Sequence, residues 1–139
     1  MKLTAQMIEA FAGVYLSPLY DNAQPTPEFH REVWQVYTSD YVAAAIAAPR
    51  NHAKSTGFTH DFILANVCFR VESYVIIIGA SEEMAVEHLG DIANELRDND
   101  DLRRDFHIKD LTQDQKTDII VPVSYTHLCN RHCPAHAVD

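Results

Sequence analysis

An uncharged run of β-branched residues, Tyr74–Gly79, constrains the fold of this chain more than any other feature. Valine and isoleucine lose side-chain freedom in a helix and pack well on a pleated sheet. The run is continuously apolar rather than alternating, which is typical of a strand covered on both faces, as in a parallel sheet. We therefore predict a buried strand here, ended by its glycine.

Helical patterns flank this run on both sides. Apolar residues recur at helical spacing in each pattern, and Ser81 and Thr26 are side chains that favour an N-cap. Pro27 and Glu28 suit the first helical turn that would follow Thr26. Four helices are predicted: Thr4–Leu16, one that begins at Thr26, Thr56 to about Phe69, and one that begins after Ser81 and is broken at Asn99–Asp101.

Two further segments are candidate strands. Tyr41–Ala48 is rich in alanine and on propensity alone favours a helix, but Pro49 ends it after two turns. We interpret it as a buried strand because of the loop that follows it. Asp118–Val121 is a last short strand candidate. Alternating helices and strands predict an α/β domain with a mostly parallel sheet and right-handed crossovers.

Composition limits the classes of function. The 139 residues are 47% hydrophobic and 22% charged, which suits one folded domain rather than a disordered chain. The net charge of −9 argues against binding nucleic acid by overall charge. Glu9 interrupts any signal-peptide pattern, and no apolar run is long enough to span a membrane. Cys68 is predicted to be a buried thiol, and a reducing cytoplasm is the expected compartment.

The segment Ala48–Ser55 carries the clearest chemical signal. It can be aligned with the phosphate-binding pattern GxxxxGK[ST], in which Lys54 and Ser55 match and alanines stand at both glycine positions. A loop between a strand and a helix N-terminus presents free amides and a favourable dipole to an anion. Lys54 would reach the β- and γ-phosphates, Ser55 would place its hydroxyl on Mg²⁺, and Arg50 adds a second cation. The alternative is a surface loop with two solvated cations.

The same segment resembles a known family. Pro49–Thr56 is similar to the variant phosphate loop of the terminase large subunits of tailed phages, which often reads Pro-Arg-x-x-x-Lys-[Ser/Thr]. Upstream, Phe29–Trp34 resembles that family's aromatic-His-x-x-x-Trp segment. Downstream, Val75–Ser81 and the Asp91–Leu96 helix resemble its second strand and helix. The resemblance spans about residues 28 to 121.

The resemblance implies a P-loop NTPase-type ATPase domain, followed in the full-length protein by a nuclease domain. Such a protein uses ATP and Mg²⁺ to pump double-stranded DNA into a capsid, as a homo-oligomeric ring with the portal protein and the small terminase subunit. It would act in the host cytoplasm and not at a membrane. His30 and Trp34 would lie near the base, Arg50 near the γ-phosphate, and Ser55 or Thr56 would serve Mg²⁺. The implied nucleotide-binding residues are Pro49, Arg50, Asn51, His52, Ala53, Lys54, Ser55 and Thr56.

Some parts of the family pattern are absent from this sequence. No apolar run after the loop ends in paired acids, and neither the catalytic glutamate nor the nuclease domain is found. We therefore expect no catalytic residue in this chain, which would bind ATP but be nearly inert as a hydrolase. The resemblance divides the chain into a helical N-terminal segment (1–27), a partial P-loop ATPase domain with an incomplete sheet (28–121) and an irregular tail (122–139).

The tail has two interpretations. Cys129, His132, Cys133 and His136 resemble a zinc-ligand cluster, although the spacing is tight and lacks a second distant pair. Val123–Leu128 instead resembles the translation of a transposon end used in preparing sequencing libraries, which would make residues 122–139 spurious. We favour the second. For the whole chain, two alternatives stay open: another P-loop or helicase-like ATPase, and a small non-catalytic interaction or metal-binding protein.

Overall fold

Helices dominate the architecture of this protein. The computed structural model describes residues 2–19, 25–47 and 55–122. The α-helices are α1 (Ala5–Phe11), α2 (Glu28–Tyr37), α3 (Phe62–Phe69), α4 (Glu82–Asp98) and α5 (Asp100–Asp105), and the strands are β1 (Gln113–Gln115) and β2 (Asp118–Ile120). A π-helical turn, Ala12–Leu16, and a 3-10 turn, Ser17–Leu19, extend α1. A second π-helical segment, Ser55–Asp61, leads directly into α3.

The predicted N-terminal helix is confirmed, with a wider geometry in its second half. The Thr4 hydroxyl accepts a hydrogen bond from the Met7 amide at 3.3 Å, so Thr4 is the N-cap of α1. Ile8 and Phe11 face inwards, with 0% and 2% of their surface exposed. The π-helical turn then keeps Leu16 buried while Val14 faces solvent.

A proline precedes the first residue of α2, and a serine precedes that of α4. Pro27, not Thr26, occupies the N-cap position of α2, so the helix begins at Glu28. Ser81 caps α4 as predicted, because its hydroxyl accepts a hydrogen bond from the Met84 amide at 3.3 Å. Both starts carry acidic side chains in the first turn, where the helix dipole favours them.

The break predicted at Asn99–Asp101 is a junction between two helices. The Asn99 carboxamide accepts a hydrogen bond from the Leu102 amide at 3.0 Å and thereby caps α5. Its amide nitrogen donates to the Tyr15 carbonyl at 2.9 Å. One asparagine therefore ends α4, starts α5 and ties both helices to the N-terminal helix.

The core joins the helices directly to one another. It contains side chains from α1, α2, α3, α4 and α5, together with Leu3 and Ile108. The largest fully buried members are Trp34, Ile8, Leu16, Leu64, Ile92, Leu96 and Leu102. Leu3, Ile8, Phe11, Ala12 and Leu16 near the N-terminus therefore share one core with the later helices.

The predicted α/β fold with a mostly parallel sheet is wrong. The described residues are mostly helical, with 58% in helices and 5% in strands. The strands within the described residues form a two-stranded antiparallel ladder, in which Gln113 pairs with Ile120 and Gln115 with Asp118. A parallel sheet needs neighbouring strands and helices on both faces, and here the helices pack on each other instead.

The two apolar runs predicted as central strands take no regular structure. Residues 41–47 and 71–80 contain no strand in the described chain. Val42 is fully exposed and Tyr41 is 73% exposed. In the second run Ile76 is 66% and Ile78 is 89% exposed, whereas Ile77 packs against the core. The interpretation of Tyr41–Ala48 and Tyr74–Gly79 as buried strands is therefore wrong, because the described residues of both runs pair with no strand and most of their side chains are exposed. Ala48 itself lies outside the described residues.

The last strand prediction holds in part. A strand does form at Asp118–Ile120, within the predicted Asp118–Val121, but it belongs to a hairpin that turns at Lys116 and Thr117. Ile119 and Val121 pack against the core, while Ile120 on the opposite face is 47% exposed. This alternation is that of a strand covered on one face only.

Candidate functional site

Most of the predicted phosphate-binding loop lies outside the described residues. Pro49, Arg50, Asn51, His52, Ala53 and Lys54 belong to that part, and the Ser55 side chain does too. The backbone of Ser55 opens the π-helical segment, and Thr56 follows with its side chain half-buried. The predicted roles of these loop residues stay predictions.

The described residues that follow the motif are helical. The π-helical segment Ser55–Asp61 and α3 follow without interruption, so residues 55–69 are helical throughout. The amides of the first turn of a helix have no partners within the helix, and they point towards its N-terminal end.

His30 and Trp34, predicted to lie near a nucleotide base, are both buried against the start of this helical segment. Trp34 is 1% exposed, and its indole N–H donates a hydrogen bond of 2.8 Å to the Gly57 carbonyl. His30 is 7% exposed and lies so close to Gly57 that a β-carbon there would stand 2.7 Å from its Nδ1 atom. We call this contact between α2 and the π-helical segment the Gly57 joint.

Aromatic rings surround the Gly57 joint. The His30 ring lies 5.8 Å from the Trp34 ring and 5.4 Å from that of Phe58. Phe58 also packs edge-on against Phe29, with ring centroids 5.4 Å apart. Further along, Tyr37 meets Phe62 at 4.8 Å, and burial raises the pKa of the Tyr37 hydroxyl. Aromatic contacts of this kind add to the stability that area burial provides.

A cleft lies between the π-helical segment and α4, with Leu16 and Met84 among its lining residues. Its volume is about 720 Å³, and Thr56, Thr59 and His60 line one wall. His60 contacts the buried Asp61 carboxylate, with Nδ1 and Oδ1 3.1 Å apart. The opposite wall belongs to α4 and is largely acidic, with contributions from Glu87, His88, Asp91, Asn94 and Glu95.

The protein shows no metal site or reactive thiol in its described part. No group of three or more histidine, cysteine, aspartate or glutamate side chains is arranged to hold a metal ion there. Cys68 is a free cysteine, buried as predicted, and burial raises the pKa of its thiol. A neutral buried thiol is a poor nucleophile. The zinc-like cluster Cys129–His136 lies outside the described residues.

Comparison with models of known protein families, with curated proteins and with solved structures finds no match for this chain. Within the described residues, no helix combines the length and the apolar character that crossing a membrane requires.

His30 and Trp34 of the Gly57 joint were predicted as site residues, whereas Gly57 itself was not. Gly57 follows the Lys54-Ser55-Thr56 motif, and a glycine near a helix start has many explanations. The signal that could have found it is the pair His30 and Trp34, four residues apart on one face of a predicted helix. Their spacing places both side chains on one face of α2. That Gly57 lies against this face depends on tertiary packing.

Proposed function

We propose that this chain is the ATP-binding front part of a viral DNA-packaging motor of the terminase large-subunit type. In the full-length protein, ATP hydrolysis would drive double-stranded DNA into the capsid. The observation that carries the proposal is the match of Lys54 and Ser55 to the loop motif, followed in the chain by described residues that are helical from 55 to 69.

The chemistry of this position suits a polyphosphate. Unpaired amides at a helix start and the positive end of the helix dipole favour an anion. Lys54 and Arg50 supply two cations within five residues of one another in an otherwise acidic chain. Lys54 would bind the β- and γ-phosphates, and Arg50 would lie near the γ-phosphate.

Magnesium fits this site as an ion that arrives with the nucleotide. Ser55 and Thr56 offer hydroxyl oxygens, which are suitable Mg²⁺ ligands alongside phosphate oxygens and water. The described residues hold no cluster that would bind a metal ion by itself. When bound, the ion would neutralise phosphate charge, and the protein would contribute a hydroxyl ligand and the cationic loop.

Binding of MgATP tests the proposal. We expect weak, Mg²⁺-dependent binding to the 139-residue chain that Lys54→Ala abolishes, because the lysine ammonium is the main charge facing the phosphates. Lys116→Ala removes an equal charge from the turn of the β-hairpin and should leave binding unchanged. Isothermal titration with and without Mg²⁺ measures all three proteins, and equal binding by wild type and Lys54→Ala would reject the proposal.

The same titration separates only one of the two alternatives from the proposal. A helicase-like ATPase would also lose nucleotide binding in Lys54→Ala, so it is distinguished by the proteins with which it assembles. A packaging motor would associate with a portal protein, the small terminase subunit and further copies of itself, in the host cytoplasm. A small interaction or metal-binding protein would show no nucleotide binding.

A further inference from the structure

We propose that the apolar run at residues 74–78 is a docking site for an extended strand of another protein, and that this strand is apolar in its middle and carries lysine or arginine at both ends. The strand would pair with the run through main-chain hydrogen bonds and with Glu72 and Glu82 through charge. None of these residues belongs to the proposed nucleotide site, so the two roles are independent.

The side chains of the run alternate between solvent and core. Tyr74, Ile76 and Ile78 are 80%, 66% and 89% exposed, whereas Ile77 packs against the core and Val75 is 40% exposed. Alternation with a period of two is the pattern of a strand that is covered on one face and open on the other. The open face is apolar apart from the tyrosine hydroxyl, and contiguous apolar surface marks sites of interaction.

The main chain of the run offers hydrogen-bonding groups as well. Within the described part of the chain, residues 74–78 form no hydrogen bond to another backbone group, and no strand pairs with them. An unpaired row of N–H and C=O groups is a template for a further strand, because each group gains a partner when the strand is added. Strand addition of this kind draws affinity from the main chain and specificity from alternate side chains.

The run is held at both of its ends. Before it, the Val71 amide donates a hydrogen bond of 3.1 Å to the Asn66 carbonyl, so the chain leaves α3 at a fixed point. After it, Gly79 lies against the start of α4, where an added β-carbon would stand 2.8 Å from the Ser81 carbonyl oxygen and 2.9 Å from the Ala85 amide nitrogen. A segment fixed in this way loses little conformational freedom when a strand binds, which lowers the entropic cost of binding.

Charge at the two ends of the run selects the kind of strand that fits it. Residues 73–81 are uncharged, and Glu72 before them and Glu82 after them are both exposed. The ion pairs among the described residues include neither glutamate. A strand with a basic residue near each end would pair with both carboxylates, and the net charge of −9 would attract it at longer range.

A second copy of this chain fits the run less well. In an antiparallel pair of runs centred on Ile76, Glu72 of one copy would lie opposite Ala80 of the other, two positions from Glu82. Like charges would therefore meet at both ends, and two chains of charge −9 repel each other. The apolar face alone would support only weak self-association.

The probe is a synthetic peptide, Lys-Lys-Thr-Val-Thr-Val-Thr-Val-Thr-Lys-Lys, which alternates apolar and polar residues between basic ends. One control peptide replaces the lysines with glutamates. A second replaces the central valine with proline, which removes a main-chain donor and disfavours strand pairing. Binding of each labelled peptide to the 139-residue protein is measured by fluorescence anisotropy at low and at high salt, and hydrogen exchange of the amides of residues 74–78 is followed with and without peptide.

Variants of the protein test the apolar face and the end charges separately. Ile76→Lys places a charge in the middle of the face, and Val14→Lys is its matched control, because Val14 is 63% exposed and lies outside the run.

The double variant Glu72→Gln with Glu82→Gln removes both end charges. Its matched control, Glu28→Gln with Glu32→Gln, removes two charges from exposed positions of α2. All four proteins change only exposed side chains, and circular dichroism confirms that each is folded.

We expect the lysine peptide to bind and to slow exchange at residues 74–78, and both control peptides to bind more weakly by about tenfold or more. Ile76→Lys and the double variant of Glu72 and Glu82 should each weaken the lysine peptide by about tenfold, whereas the two control variants should leave it unchanged. High salt should also weaken it, because salt screens the end charges.

Equal binding of the proline peptide would exclude strand pairing and overturn the proposal, and equal binding of the glutamate peptide would exclude a basic partner. Unchanged binding by Ile76→Lys would place the peptide elsewhere on the protein. Absence of binding by the lysine peptide would reject the docking site. If analytical ultracentrifugation then shows a dimer that Ile76→Lys abolishes, the run belongs to a second copy of the chain.

Discussion

The helical core and the two apolar runs at 41–47 and 74–78 contain similar side chains in opposite environments. Leu96, Ile8 and Leu64 are fully buried, whereas Ile78 is 89% exposed and Val42 is fully exposed. The core residues recur at helical spacing, so each helix gathers them on one face that a neighbouring helix can cover. The runs are continuously apolar, and as strands they would need neighbours on both faces and both edges.

The apolar content of a segment does not by itself bury its side chains. An amphipathic helix satisfies its own backbone hydrogen bonds and needs a partner on one face only. An extended run needs partners for its backbone as well as its side chains. Within the described residues the helices have such partners, whereas the two runs have no strand partner and only Ile77 packs against the core.

The largest expected effect lies in the core. Leu96→Ala removes a side chain that is 0% exposed and should lower the free energy of unfolding by about 2–5 kcal/mol, because transfer and cavity costs add. Ile76→Ala, at a position 66% exposed, should change it by less than about 0.5 kcal/mol. Urea denaturation followed by circular dichroism measures both. Equal losses would show that the run at 74–78 is buried in solution.

A medium effect is expected at the Gly57 joint. Gly57→Ala places a methyl group against the buried His30 ring, and overpacking costs about 1–3 kcal/mol, partly offset by the higher helix propensity of alanine. Gly90→Ala in α4 is the control, because nothing lies within 4 Å of its β-carbon. That variant should be stabilised by about 0.5–1 kcal/mol. A stabilised Gly57→Ala protein would mean that α2 and the π-helical segment are not in close contact.

The smallest effect on stability is expected at the tip of the exposed run. Ile78→Lys should leave the free energy of unfolding within about 0.5 kcal/mol of the wild type and reduce self-association, since exposed apolar patches promote it. Val14→Lys makes the same chemical change at an exposed apolar residue outside both runs. Light scattering over a concentration series compares them. An equal reduction in both variants would assign the effect to charge rather than to the run.

Much of the helical structure was predictable because its causes are local. Thr4 and Ser81 cap helices through hydrogen bonds from amides three residues away. The Ser81 cap was predicted from its position before an apolar periodic segment. The burial of Cys68 followed from its apolar neighbours. The candidate loop could be named from Lys54 and Ser55 because the motif is contiguous in sequence, although its geometry lies outside the described residues.

The sheet prediction failed because strand formation is not a local property. The β-branched composition of Tyr74–Gly79 favours extended backbone, but a strand exists only where another strand pairs with it. The pairing that did form joins Gln113–Gln115 to Asp118–Ile120 across a short turn, where the loop to be closed is small. Distant pairing between 41–47 and 74–79 does not occur in the described chain.

By itself, then, the sequence determined the helices, the Ser81 cap, the amphipathic faces that build the core and the identity of a candidate phosphate-binding loop. Only the tertiary structure decided that the two strongest apolar runs stay unpaired, that Asn99 links α4 and α5 to the Tyr15 carbonyl, and that Trp34 and His30 close on Gly57. The physical reason is the range of the interactions. Capping and periodicity act within a few residues, whereas these contacts join residues that are 23 to 84 positions apart and exist only once the helices have packed.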